Sequence, residues 1–95
     1  MNNDNNKSEF EKVIKSFVIL PKTREEDYAI QRESQAILFP DGNGNGTMLF
    51  KRLYQIGKEE MDKRNITDEV VFYNQLQEEY KEFIQAYQYT PNLSQ

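Results

Sequence analysis

The 95-residue sequence contains no cysteine, no histidine and no tryptophan. These absences exclude disulfide bonds, thiol nucleophiles, zinc sites with the usual nitrogen or sulfur ligands, and catalysis by an imidazole base. Any catalysis would rest on carboxylates, lysine, tyrosine or arginine, and no glycine-rich phosphate-binding motif accompanies them. We therefore expect a binding protein rather than an enzyme, with no cofactor.

Long apolar runs are also absent. No stretch approaches the roughly 18 residues of a membrane span, and the polar residues 1–7 lack the apolar segment of a signal peptide. We expect a cytoplasmic protein with a disordered leader at residues 1–7, a single helical domain at residues 8–90 and a frayed tail at residues 91–95. A chain of this length buries only roughly 60–65% of its unfolded surface, which disfavours a deep internal active site.

Glycine is scarce, and three of the four glycines lie in one segment, Asp41 to Gly46. The segment copies the first half of an EF-hand loop, which places oxygen ligands at positions 1, 3 and 5, a turn glycine at position 6 and a bidentate glutamate at position 12. Position 12 is Arg52, whose guanidinium offers only donors and repels a cation. We therefore predict no metal site and interpret the segment as a mobile turn.

Apolar residues recur at helical spacing in three segments. The first begins at Ser8, with Glu11 three residues on as in a capping box, and ends before Pro21. The second spans residues 47–63, with Thr47 as its cap. Gly57 within it indicates either close packing against a neighbouring helix or a local break.

The third predicted helix begins with Thr67 as its N-cap and stops at Pro91. Its apolar positions recur at spacings of four, four, three and four: Phe72, Leu76, Tyr80, Phe83 and Tyr87. Because the link at residues 64–66 is short, the second and third helices are expected to pack antiparallel as a hairpin.

Residues 21–40 fit neither helical nor strand periodicity cleanly. Residues 23–26 match a second capping box, whereas the apolar runs at 17–20 and 36–39, each followed by proline, also suit two short buried strands. The predicted fold class is mostly α, a small domain of three to four helices with a Gly/Asn-rich loop at residues 40–47. An α+β fold with a small sheet involving residues 17–20 and 36–39 is the alternative.

The net charge of −4 comes entirely from the last third of the chain. Residues 66–95 carry five acidic side chains against one lysine, whereas residues 1–65 carry eleven of each sign. A nucleic-acid ligand is disfavoured, because binding to its backbone depends on lysine and arginine neutralising phosphates.

Four of the five acidic side chains form a stripe beside the aromatic face of the last predicted helix, whereas Glu69 falls among the aromatic positions, and tyrosine is common at protein interfaces. We predict that this surface binds a protein partner with a basic surface through Asp68, Glu78, Glu79, Glu82, Tyr73 and Tyr87. The simpler interpretation, a solvated face beside an ordinary core face, stays open.

The predicted function is a non-catalytic adaptor, regulator or inhibitor. One specific form is a phage or mobile-element inhibitor of a host nucleic-acid-binding enzyme, although five carboxylates are too few to copy the charge density of a duplex. The alternative is a structural or oligomerising subunit whose acidic face only confers solubility, with a homodimer contact along the tyrosine-bearing edge of the last helix.

Overall fold

The computed structural model describes residues 7–88, which form a bundle of α-helices and no strand. The helices are α1 Glu9–Lys12, α2 Lys15–Val18, α3 Arg24–Leu38, α4 Gly46–Lys63, α5 Glu69–Glu79 and α6 Lys81–Gln88. The mostly α prediction is confirmed, and the sheet alternative finds no support, because residues 36–38 complete α3 and residues 17–18 complete α2. Apart from Lys7, the predicted leader and the predicted tail lie outside these residues.

The first predicted helix is two short helices. The capping box at its start is present: the Glu11 N–H donates to Ser8 Oγ, and the Ser8 N–H donates to Glu11 Oε1, both at 3.2 Å. In a continuous helix, the backbones of Phe10 and Phe17 would lie roughly 10 Å apart along the axis, because seven residues separate them. The helix breaks after α1, and the centroids of the two rings lie 4.9 Å apart.

Most of residues 21–40, which fitted neither helical nor strand periodicity cleanly, form helix α3. Its N-cap is Thr23, whose Oγ1 accepts from the Glu26 N–H at 3.1 Å. The apolar pattern fails because one core position is polar: the buried Ser34 pairs its hydroxyl with that of Ser16 at 2.7 Å. A hydrogen-bonded serine pair therefore replaces an apolar contact between α2 and α3.

The N-cap of helix α4 lies two residues earlier than predicted, because Asn45 rather than Thr47 caps the helix and its Oδ1 accepts from the Met48 N–H at 2.9 Å. The helix is unbroken at Gly57, where an added Cβ would lie 3.0 Å from Cε1 of Phe17. Of the two explanations for this glycine, close packing is confirmed.

The Gly/Asn-rich loop is a folded connection between α3 and α4. Gly42 has φ +75°, a conformation that L side chains rarely adopt. The Phe39 ring packs directly on Gly44, where a Cβ would lie 2.6 and 2.7 Å from the two ring Cδ atoms.

The last predicted helix is divided at Tyr80 into α5 and α6, and its N-cap is Asp68 rather than Thr67. The predicted hairpin with α4 is also wrong: α5 packs chiefly against α2. Gln77 strengthens that contact by donating from Nε2 to the Val18 carbonyl oxygen at 3.2 Å. Because the helix is interrupted at Tyr80, a single helical-wheel projection does not describe the faces of both α5 and α6.

The core gathers buried residues from all six helices. Its members include Phe10, Val18, Ile30, Ile56, Met61, Phe72, Leu76 and Ile84. Within residues 7–88, no helix combines the length and apolar character that crossing a membrane requires.

Candidate protein-interaction surfaces

Asp68, the first predicted binding residue, begins helix α5. Its Oδ1 accepts hydrogen bonds from the backbone N–H of Val70 at 2.8 Å and of Val71 at 3.4 Å. A carboxylate at this position also complements the positive end of the helix dipole. The exposed Asp68 therefore has a structural role that is separate from any role in binding.

Glu79 forms an ion pair with Arg64, the residue that follows α4. Glu79 Oε1 lies 2.9 Å from Nη2 of Arg64, and Arg64 Nε donates to Glu60 Oε2 at 2.8 Å. Arg64 Nη1 also donates to Gln75 Oε1 at 2.8 Å. Arg64 thus joins the end of α4 to one side of α5, and part of the predicted acidic stripe is already neutralised.

The Arg64 guanidinium also covers the edge of the core. Its central carbon lies 5.8 Å from the ring centroid of Phe10 and 5.9 Å from that of Phe72, within the range of a cation–π contact. Burial acts to lower the pKa of Arg64, but hydrogen bonds and charges from Glu60 and Glu79 outweigh burial and raise it. The side chain therefore stays cationic in the folded protein.

The tertiary structure brings the carboxylates of Glu11 and Glu60 near Tyr80, although neither residue belongs to the last predicted helix. Burial raises the pKa of Tyr80, and the negative charges of Glu79, Glu11 and Glu60 raise it further, against the opposing effect of Arg64. The carboxylates come from α1, α4 and α5, and we call this group around Tyr80 the acidic region, although Arg64 pairs with two of its three members. Nothing in the spacing along the chain could reveal it.

Glu78 and Glu82 lie on either side of Tyr80 in sequence. Both side chains are exposed, and neither forms an ion pair within 4 Å among residues 7–88. They are the two predicted acidic residues that remain available to an external cation. Their role in binding stays a prediction.

The two predicted tyrosines lie in different environments. Tyr73 on α5 is exposed, whereas Tyr87 on α6 is half-buried and packs against the core. The Lys15 Nζ lies 5.3 Å from the Tyr87 ring centroid. Tyr73 is therefore accessible to a partner, while Tyr87 contributes mainly to the packing of α6.

A second candidate surface, which the sequence analysis missed, is an apolar cleft of about 190 Å³ between α4 and the start of α5. Its floor consists of apolar groups from α2, α4 and α5, and its rim carries Tyr54, Lys58 and Glu69. The floor residues are Phe17, Leu53, Gly57, Met61 and Phe72. We call this feature the apolar cleft.

Beside the apolar cleft, Phe50 and Tyr54 form an aromatic ridge on α4. The two residues are one helical turn apart, and they are 57% and 64% exposed. Lys58, one turn further on, places Nζ 5.9 Å from the Tyr54 ring centroid. Large aromatic side chains exposed beside an apolar cleft are typical of contact surfaces.

The ridge was hidden in the sequence because it continues a core stripe. The spacing of Phe50, Tyr54, Gly57 and Met61 places all four on one side of α4. The later half of this stripe is covered, by Phe17 at Gly57 and by Phe72 near Met61, while the earlier half is not. Periodicity identifies such a stripe but not how far a neighbouring helix extends along it.

Metal binding receives no support within the described part of the chain. No group of three or more potential metal-ligating side chains comes together among residues 7–88. Asp41 lies exposed in the turn before α4, and Asn45 uses its side-chain oxygen to cap that helix.

Comparisons with protein-family models, with curated proteins and with solved structures found no match for this chain. Its function is therefore argued from the two surfaces.

Proposed function

We propose that this chain is a small non-catalytic domain that binds a protein partner with a basic surface. The observation that carries the proposal is the pair of exposed carboxylates of Glu78 and Glu82, which flank Tyr80 in sequence and form no ion pair within 4 Å among residues 7–88. Charges of one sign on several helices attract a complementary partner and accelerate its approach.

The proposed role is that of an adaptor, regulator or inhibitor. Because Arg64 neutralises part of the acidic region, a few carboxylates are left to steer and orient the partner rather than to reproduce the charge density of a nucleic acid. One form of the proposal is a phage or mobile-element protein that inhibits a host nucleic-acid-binding enzyme by occupying a basic site on it.

The proposal is tested by capture of partners from a lysate of the source cells. The test variant carries Glu78→Lys and Glu82→Lys, and it keeps Glu79 because that side chain pairs with Arg64. The control carries Glu25→Lys and Asp41→Lys, which change the net charge equally at exposed positions on α3 and in the turn before α4. Circular dichroism first establishes that both variants are folded.

A basic partner retained by the native chain and by the control, but lost by the test variant, would support the proposal. The association rate of that partner is also expected to fall as salt rises, because screening weakens electrostatic steering. Equal retention of every captured protein by all three chains would refute a role for the acidic surface.

A second candidate function is that of an oligomerising subunit. The specific observation that favours it is the exposed aromatic ridge of Phe50 and Tyr54 next to the apolar cleft. This surface lies on α4 and the start of α5, and it does not require the carboxylates of Glu78 and Glu82.

A further inference from the structure

We infer that the apolar cleft and the aromatic ridge together form a two-fold symmetric contact with a second copy of this chain. The inference rests on the second candidate function and identifies the surface and the charged pair that would form the contact. It moves the homodimer contact from the tyrosine-bearing edge of the last helix to α4 and the start of α5.

A projection and a recess lie side by side on this surface. Tyr54 belongs to both, since its exposed ring forms the ridge and also borders the cleft. In an isologous dimer the same patch occurs on both subunits, so it must complement itself. A ridge adjoining a cleft satisfies this requirement, because each copy can insert its ridge into the cleft of the other.

The two walls of the apolar cleft carry charges of opposite sign. The cleft carries Lys58 on its α4 wall and Glu69 on its α5 wall, and neither forms an ion pair within 4 Å among residues 7–88. Two-fold rotation places residue i against residue j and residue j against residue i. A two-fold contact that brings Lys58 of one copy to Glu69 of the other therefore forms the same pair twice, and a second copy supplies both partners at once.

Two chains of net charge −4 repel each other unless the contact face carries compensating positive charge. The exposed side of α4 supplies such charge, because Lys51 and Lys58 lie beside the aromatic ridge. A standard interface needs about 800 Å² per partner, which is roughly a ninth of the 7210 Å² accessible surface. Tyr73, one turn beyond Glu69 on α5, extends the patch beyond the cleft.

The inference is tested by analytical ultracentrifugation of the full chain over a range of concentrations. The mass should rise from 11.3 kDa towards twice that value. Lys58→Glu and Glu69→Lys, made singly, should each weaken the dimer by about tenfold or more, since each creates two like-charge pairs. Combining both changes should restore the dissociation constant to within about threefold of the native value.

Matched controls are Lys22→Glu and Glu25→Lys, which make the same charge changes at exposed positions before and within α3 and should leave the dissociation constant unchanged. Tyr54→Ala removes the exposed ring that the ridge shares with the cleft and should yield a folded monomer. A chain that stays monomeric throughout would overturn the inference. So would a dimer that Tyr54→Ala or the charge reversals leave intact, or single reversals that the double variant does not rescue.

Binding of a basic partner at the acidic surface and dimerisation through α4 and α5 can be refuted independently of each other. The Tyr54→Ala monomer keeps Glu78 and Glu82, so it should still capture a basic partner if the acidic surface binds one. A native dimer with no partner at the acidic surface would support the second function alone.

Discussion

At the scale of single residues, Arg64 makes polar contacts with three other side chains. It joins Glu60 and Glu79, hydrogen-bonds Gln75 and lies over two core rings. Its side chain is only 19% exposed and that of Glu60 only 14%, so the pair is shielded from water. Such a pair contributes little when intact but is costly to break, because the remaining charge has no partner.

We therefore expect Arg64→Met to lower the free energy of unfolding by about 2 kcal/mol. The control is Lys63→Met, because Lys63 is 69% exposed and its Nζ lies 4.0 Å from the same glutamate. That variant should change stability by less than about 0.5 kcal/mol. Urea denaturation of both variants measures the difference, and equal losses would contradict the assigned role of Arg64.

The raised pKa of Tyr80 makes the stability of the fold depend on pH. Its pKa is raised by burial and then by Glu79 and Glu11. A group whose pKa is higher in the folded chain stabilises the fold below its unfolded pKa of about 10. That contribution is lost as the pH rises through the raised folded value.

Unfolding free energies measured at about pH 8 and about pH 11 should therefore fall more steeply for the native chain than for Tyr80→Phe. Tyr28→Phe, at an exposed position on α3, should follow the native chain. A Tyr80→Phe profile parallel to the native one would contradict this prediction.

At the scale of elements, the end of α4 determines where Arg64 lies. Asn65 has φ +58°, the Ile66 N–H donates to the Met61 carbonyl at 2.9 Å, and the Asn65 N–H donates to the Asp62 carbonyl at 3.1 Å. These bonds form a Schellman motif, in which the residue after the C-cap adopts the left-handed conformation. The short link can therefore reverse the chain and direct α5 towards α2.

Asn65→Ala should destabilise the protein by about 1 kcal/mol, because alanine disfavours the left-handed conformation. Asn65→Gly should be neutral or stabilising, because glycine adopts positive φ without a steric penalty. Thermal unfolding followed by circular dichroism compares the two. If alanine were tolerated as well as glycine, the left-handed turn would not be the reason for asparagine at this position.

At the scale of the whole molecule, Phe10 connects the beginning of the chain to its last third. Its ring centroid lies 4.9 Å from that of Phe17 and 6.1 Å from that of Phe72, and only 4% of the residue is exposed. One side chain thus holds α1, α2 and α5 together.

Phe10→Ala is expected to lower the free energy of unfolding by about 3–5 kcal/mol, a large part of the roughly 5–15 kcal/mol available to a domain. Phe50→Ala removes the same atoms from a residue that is 57% exposed and should cost less than about 1 kcal/mol. Denaturant unfolding at low protein concentration checks both values. Similar costs for the two phenylalanines would contradict the placement of Phe50 outside the core.

The predictions that succeeded at this scale depend on neighbours along the chain. The capping box at Ser8, the helix start at Thr23 and the helical class were predicted because caps and periodicity are local interactions. The helix at residues 24–38 was not assigned from periodicity, since Ser34 occupies a core position and finds its partner, Ser16, on another helix.

Local sequence patterns predicted the helix starts at Ser8 and Thr23, the helical class and the acidic character of the last third, because each depends on residues within a few turns of one another. The tertiary structure, in contrast, decided that Glu79 is paired with Arg64, that Glu11 and Glu60 lie near Tyr80, and that α5 packs on α2. It also decided that Phe50 and Tyr54 stay exposed while Met61, on the same stripe, is buried. The physical reason is that ion pairing and burial depend on which helices meet, and local spacing carries little information about contacts between residues distant in the chain.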